Sequence, residues 1–195
     1  ERLARELDAD TDVLARRFPP GHYADADAWS AATRRHQAHV LRIQIETLRR
    51  RKYRPTGGFA LDRLLDGAPA ISGSLLDHRR VPKPAYGAVA AACAETIVVA
   101  DPPPLSITPR STLECRVLVV HDGRTPIQHV RVDAVLTVAG REQAWSWGGP
   151  IEADSVTLVG TIRHQLGDAT GEVLLDLWVT RTSPPGGPPA DGRTA

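Results

Sequence analysis

Three aspartates, Asp62, Asp66 and Asp77, fall at or just after two short extended-looking segments. Paired carboxylates are what hydrolysis of a glycosidic bond requires, one as acid and the other as base or nucleophile. Aspartates in a loop-rich stretch also serve as caps and turn residues, and their spacing alone favours that role. Trp145 and Trp147 share one face of a strand and could stack on sugar rings, although packing in a sheet core is the simpler role. His36 and His39 lie three apart on a helix, but no nearby Cys or carboxylate completes a metal set of the usual spacing. The run Arg49-Arg50-Arg51-Lys52 with Arg54, beside Tyr53, could meet phosphate. It suits the negative end of a helix dipole equally well. Gly57-Gly58 lacks the Lys and Ser/Thr of a phosphate-binding loop. Ser72 and Ser74 have no nucleophile-elbow motif around them. No cofactor and no metal are expected.

The chain that carries these residues has 195 positions and is 42% hydrophobic, enough for one large domain or two small ones. With 24 Lys+Arg against 23 Asp+Glu the net charge is +1, which excludes an overall basic strategy for nucleic acid. Only Lys52 and Lys83 among the basic residues are lysines. No run approaches the ~18 consecutive apolar residues of a membrane span, and no secretory pattern opens the sequence. Neither a nucleic-acid nor a membrane partner is expected, and the expected compartment is the cytoplasm. There is no Met, so the sequence reads as a piece of something longer. Cys93 and Cys115 are too few for a disulfide framework and read as two small buried hydrophobes.

The elements that must position the candidates change character near residue 104. Leu3 to Phe18 reads as a short amphipathic helix stopped by Pro19-Pro20-Gly21. Asp25 or Asp27 can cap a second start near Trp29. Ala31 to Lys52 is the strongest helix, with Val40, Leu41, Ile45 and Leu48 at helical spacing and Ile43 widening the stripe. Phe59–Leu65 and Ala70–Leu76 read as short strands, Ala85–Ala94 as a small-residue helix, and Thr96–Ala100 as a β-branched run into Pro102-Pro103-Pro104. Beyond it, alternation marks strands around Leu113–Val119, Val130–Leu136, Trp145–Trp147, Val156–Ile162 and Val173–Val179. Turns are expected at Asp122-Gly123, Ala139-Gly140, Gly148-Gly149-Pro150 and Gly167-Asp168. Strands at this spacing predict an immunoglobulin-like antiparallel β-sandwich. Residues 182–195 read as a disordered Pro/Gly tail.

The run from Ile45 to Pro103 resembles the C-terminal end of glycoside hydrolase family 2 proteins, of the β-mannosidase/β-galactosidase-like kind. The residues that carry the likeness are Glu46-Thr47-Leu48-Arg49-Arg50, Arg54-Pro55-Thr56-Gly57-Gly58-Phe59 and Leu64 to Asp66. Pro69-Ala70-Ile71-Ser72, Leu76-Asp77, Pro82-Lys83-Pro84-Ala85-Tyr86 and Ile97-Val98-Val99 continue it. The resemblance implies an α+β fragment: the last helix–strand–helix portion of a (β/α)8 barrel over residues 1–101, then an immunoglobulin-like sandwich over residues 105–181. It implies a retaining, β-mannosidase-like hydrolase whose partner in the full-length protein is a carbohydrate substrate and whose N-terminal barrel portion is missing here. The catalytic glutamates of the family belong to the fourth and seventh barrel strands, so both are expected upstream of Glu1. Glu46, mid-helix, is neither. Asp62 and Asp66 would lie near the barrel mouth as substrate-binding residues. Asp62 stands where members typically carry Trp, Leu65 where they carry Asn, and Ala68 and Gly73 where they carry Trp. A non-catalytic sandwich that binds carbohydrate or a protein partner is the alternative.

Overall fold

The computed structural model describes residues 11–102, 104, 106–168, 171–182 and 193–194. The chain divides into two compact units, one up to Cys93 and one from Ala94 onward. The regular elements described in the first unit are helical. Helix α1 spans Thr11–Arg17 and is followed by a 3₁₀ turn at Pro20–His22. The part of the expected helix before Thr11 lies outside the described residues.

Helix α2 runs over Ala26–Arg50. It begins earlier than its apolar periodicity suggests because Asp25, in an extended conformation, accepts a hydrogen bond from the Ala28 N–H at 2.7 Å. That bond satisfies one of the orphan donors of the first turn. The face turned to the core is narrow. Ala38 and Leu41 pack against a cluster that includes Ile45, while Ile43 and Leu48 are exposed. One turn beyond Ile45, buried Arg49 sends Nη1 to the carbonyl of Ala92 at 2.5 Å. A cation at the last carbonyls of a helix meets the negative end of its dipole.

That second helix is α3, Pro84–Ala92. Pro84 opens it, its fixed φ and missing N–H costing nothing at a first helical position. Ala85, Val89 and Ala92 recur at helical spacing, are buried, and meet Ile45 and Leu75. Small side chains here let the α2 and α3 backbones approach closely.

Between α2 and α3 the expected strands do not form. Phe59–Leu65 and Ala70–Leu76 are irregular, tied by isolated bridges between Leu65 and Leu76 and between Leu76 and Pro82. Their pattern is strand-like, but a strand exists only where a neighbour takes its backbone N–H and C=O groups. The described residues of this unit offer no such neighbour. Phe59, Leu61, Leu64, Leu65 and Ile71 are correspondingly exposed.

The second unit is two antiparallel sheets. Its strands are β1 Thr96–Ala100, β2 Thr112–His121, β3 Ile127–Val138, β4 Arg141–Ile151, β5 Ser155–Gln165, β6 Val173–Arg181 and β7 Arg193–Thr194. One sheet has the order β1-β2-β5, the other β4-β3-β6-β7. Inward residues of both sheets build one core: Cys115, Val117, Val119 and Ile162 from the first, Val130, Val132, Ala134, Ile151 and Val179 from the second. Period-two burial along β2 and β3 is what the sequence alternation dictates.

Three boundaries differ from expectation. Thr96–Ala100 belongs to this unit, because all five residues pair with β2 from His121 to Val117. Gly148-Gly149-Pro150 is no turn: it continues β4, where Gly148 and Gly149 pair with Arg131 and Val130 beside a shift of register. Glycine and an edge proline are tolerated at such an irregularity, and the chain reverses afterwards at Ala153-Asp154, with Asp154 at φ 51. The Pro/Gly tail falls mostly outside the described residues. Within it, Thr182 donates its N–H to the carbonyl of His129, and Arg193-Thr194 pair with β6. The hairpin at Ala139-Gly140 forms where expected, with φ of 47 and 78, the positive values a tight reversal between twisted strands needs.

Candidate functional site

The densest polar chemistry among the described residues lies in the loop between α2 and α3. Backbone bonds first bring three passes of chain together. The N–H groups of Leu75 and Leu76 reach the carbonyl of Leu64 at 3.2 and 2.8 Å. The Asp66 N–H reaches Leu76 O at 3.1 Å and the Lys83 N–H reaches Leu75 O at 2.9 Å. Gln37 on α2 adds a fourth tie, its Nε2 donating to Gly73 O and Ser74 O at 2.8 and 3.0 Å.

Where the passes meet, Lys83, Asp66 and Ser74 are buried. Lys83 Nζ donates to Asp66 Oδ2 at 2.9 Å, Ser74 Oγ at 2.8 Å and Ser72 Oγ at 3.2 Å. Ser72 Oγ donates to the other carboxylate oxygen of Asp66. Ser74 Oγ donates to Leu76 O at 2.9 Å. Each proton then has one acceptor, and no buried side-chain polar atom among the described residues is left unpaired. With Lys83 as an ammonium, the scheme uses all three of its protons.

Burial acts to raise the Asp66 pKa, but hydrogen bonds from Ser72, Lys83 and Ser74 and the charge of Lys83 outweigh it, and the net shift is downward. A carboxyl whose folded pKa lies below its unfolded value of about 3.9 stabilises the fold when ionised. That stability is complete above the unfolded pKa and is lost as pH falls through the folded one. Asp77 acts in the same direction: its Oδ1 accepts from the N–H groups of Val81 and Arg79 at 2.9 and 2.8 Å, which lowers its pKa. Acid titration followed by hydrogen exchange should therefore open the 64–83 segment below about pH 4. In Asp66→Asn the amides of this segment should exchange faster at neutral pH and lose the part of their acid dependence that Asp66 supplies, with the Asp77 part remaining.

The two aspartates expected at a sugar site part company. Asp66 is enclosed, and its two carboxylate oxygens are engaged by Ser72 and Lys83. Asp62 is exposed in the irregular segment four residues earlier. Glu46 forms an exposed i,i+4 pair with Arg42 at 2.7 Å. His36 packs against the ring of Phe18 at 5.2 Å, and no group of metal-binding side chains occurs among the described residues. Trp145 and Trp147 are half-buried against the core of the sheets, as packing residues. Cys115 is buried, and burial pushes its thiol pKa up, but Cys93 is exposed at the end of α3, against expectation.

Sequence reasoning missed the assembly of Asp66, Ser72, Ser74 and Lys83. One signal was present. In a chain that otherwise uses arginine, Lys83 is one of two lysines. A compact ammonium donates in three directions from one point, which a planar guanidinium cannot do.

No family model and no curated protein matches the sequence. Solved structures do match in fold. One is the β-D-mannosidase from Dictyoglomus thermophilum, 19% identical with a TM-score of 0.62, over 87% of this chain and 20% of that one. Another is the Amycolatopsis orientalis exo-chitosanase in complex with PNP-β-D-glucosamine, 18% identical with a TM-score of 0.67, over 87% of this chain and 19% of that one. The chain spans about a fifth of the length of these enzymes. At such identities the likeness is one of fold, and in that it agrees with the resemblance noted over Ile45 to Pro103.

Proposed function

We propose that this chain is the C-terminal segment of a retaining glycoside hydrolase of family 2 type, β-mannosidase-like, in which the catalytic glutamates lie upstream of Glu1. The observation that carries the reading is the alignment of 87% of the chain with a fifth of each of two glycoside hydrolases. On this reading the first unit is the last helix–strand–helix of a (β/α)8 barrel. The irregular Phe59–Leu65 segment is its eighth strand, which pairs only when neighbouring strands are present. The exposed Phe59, Leu61, Leu64 and Leu65 are then side chains that a closed barrel buries. Asp62, near the strand's mouth end, faces the sugar, and the Asp66–Lys83 pair fixes the loop behind it.

The second unit is immunoglobulin-like on this reading. Its order β1-β2-β5 and β4-β3-β6-β7 is a Greek-key sandwich whose fourth strand joins the sheet of the third. In the complete protein, two glutamates about 5 Å apart would carry out a double displacement. The segment described here closes and braces that barrel without supplying either group.

The test is turnover of nitrophenyl β-mannoside and β-glucosaminide. Purified 1–195 should release no nitrophenol above background. The longer product of the same reading frame should hydrolyse one of the two with retention at the anomeric carbon, followed by proton NMR. A reading frame without an upstream barrel, or turnover by 1–195 that Asp62→Asn abolishes, overturns the proposal.

A further inference from the structure

Strand β6 is paired in full along one side only. β3 meets all of it in unbroken register, from Val173 against Val138 to Arg181 against Val130. On the other side β7 pairs with Val179 and Thr180, so among the described residues 173–178 have no second strand beside them. Burial follows that boundary. On the inward row of β3, which has a strand on either side, Val130, Val132, Ala134 and Leu136 are buried. On the inward row of β6, Val179 beside β7 is buried, whereas Val173, Leu175 and Leu177 pack on the core but are only half-buried. The open edge also lacks the devices that keep an edge from pairing. β4 ends in Gly148-Gly149-Pro150 beside a shift of register, but residues 173–180 contain no Pro, Gly or Lys. Their one charge is Asp176, which is exposed on the outward row and has no ion-pair partner among the described residues.

We infer that residues 173–178 of β6 take up an extended segment of a partner protein as an added antiparallel strand, continuing the line of β7. Main-chain bonds along the edge supply affinity, and alternate side chains supply specificity. Residues directly opposite each other in an antiparallel pair share a face, which fixes what the segment must carry. Opposite Val173, Leu175 and Leu177 it is apolar and completes the cover of the core. Opposite Asp176 it carries Lys or Arg, by charge complementarity. A second copy of β6 fits less well. An isologous pair that leaves β7 in place is centred on Leu175, sets Asp176 against Leu174, and leaves both carboxylates unanswered. The inference does not depend on the hydrolase reading.

The experiment titrates the full 195-residue chain with the peptide acetyl-Thr-Val-Lys-Val-Thr-Val-Thr-amide and follows the backbone amides by NMR. Its three valines fall opposite Leu177, Leu175 and Val173, and its lysine opposite Asp176. Saturable shifts should centre on β6, and the amides of 173–178 that do not bond to β3 should exchange more slowly. A peptide with valine and threonine interchanged should lose most of the affinity, because any slip that returns its valines inward turns its lysine inward as well. Glutamate in place of the lysine should cost about fivefold. In Asp176→Lys, at an exposed position, the order of the lysine and glutamate peptides should reverse. The peptide series needs no variant of the protein, so it decides the matter even if Asp176→Lys does not fold. No saturable binding, equal binding of the interchanged peptide, or a lysine preference that survives Asp176→Lys would each overturn the inference. Protection of the same amides that rises with protein concentration in the absence of peptide would also overturn it, by assigning the edge to a second copy.

Discussion

Lys83→Ala is expected to destabilise the first unit by about 3–5 kcal/mol, measured by urea unfolding of the full chain. The magnitude comes from what is left behind. Asp66 stays buried and keeps the Ser72 bond, but the cation beside it and the bond at 2.9 Å are gone. Ser74 Oγ and Ser72 Oγ each lose a donor as well. An uncompensated buried carboxylate is the expensive product, so removing both charges should be far milder than removing one. A double variant, Asp66→Leu with Lys83→Met, should recover most of the loss, since a buried ion pair is often no better than packed hydrophobes of similar size. A single-variant loss under about 1 kcal/mol would show that solvent reaches the pair. A double variant as unstable as Lys83→Ala would show that the serine bonds, not the charges, hold the loop together.

The second large effect concerns Trp147 and Gly160. The two lie on different sheets of the second unit, and a Cβ placed on Gly160 would fall inside the indole of Trp147. Gly160→Ala should therefore cost about 1–3 kcal/mol through overpacking. Trp147→Ala should cost about 3 kcal/mol, the low end for a large aromatic because the ring is half-buried. Together they should cost clearly less than the sum, because the new methyl enters the space the ring leaves. Strict additivity in that cycle would mean that the ring does not rest on the glycine.

How far the sequence reveals this molecule depends on whether a feature is local. Val130, Val132, Ala134 and Leu136 announce their strand and its buried face by period alone, and the core follows. Asp25 and Asp27 both mark a helix start near Trp29, and Asp25 takes the cap. Gly148-Gly149-Pro150 misleads because the residues that make turns also fit the irregular end of an edge strand. Phe59–Leu65 misleads differently: its pattern is that of a strand, but pairing is a property of neighbours. The Asp66–Ser72–Ser74–Lys83 cluster has no period at all. It exists because Leu64, Leu75, Leu76 and Lys83 exchange backbone bonds across three chain passes. Nothing in residue spacing fixes those crossings. The resemblance implies a place for Asp66 near a barrel mouth, whereas its burial follows from the crossings.

The scarcity of lysine has a practical corollary. Lys52 is partly accessible and Lys83 is sealed, and there is no other side-chain amine in the sequence. An acylating reagent would tag Lys52 promptly, while Lys83 would be tagged only during moments when its loop parts. Peptide mapping of the slow adduct thus turns the sealed amine into a stopwatch for that single opening, with no probe engineered into the chain.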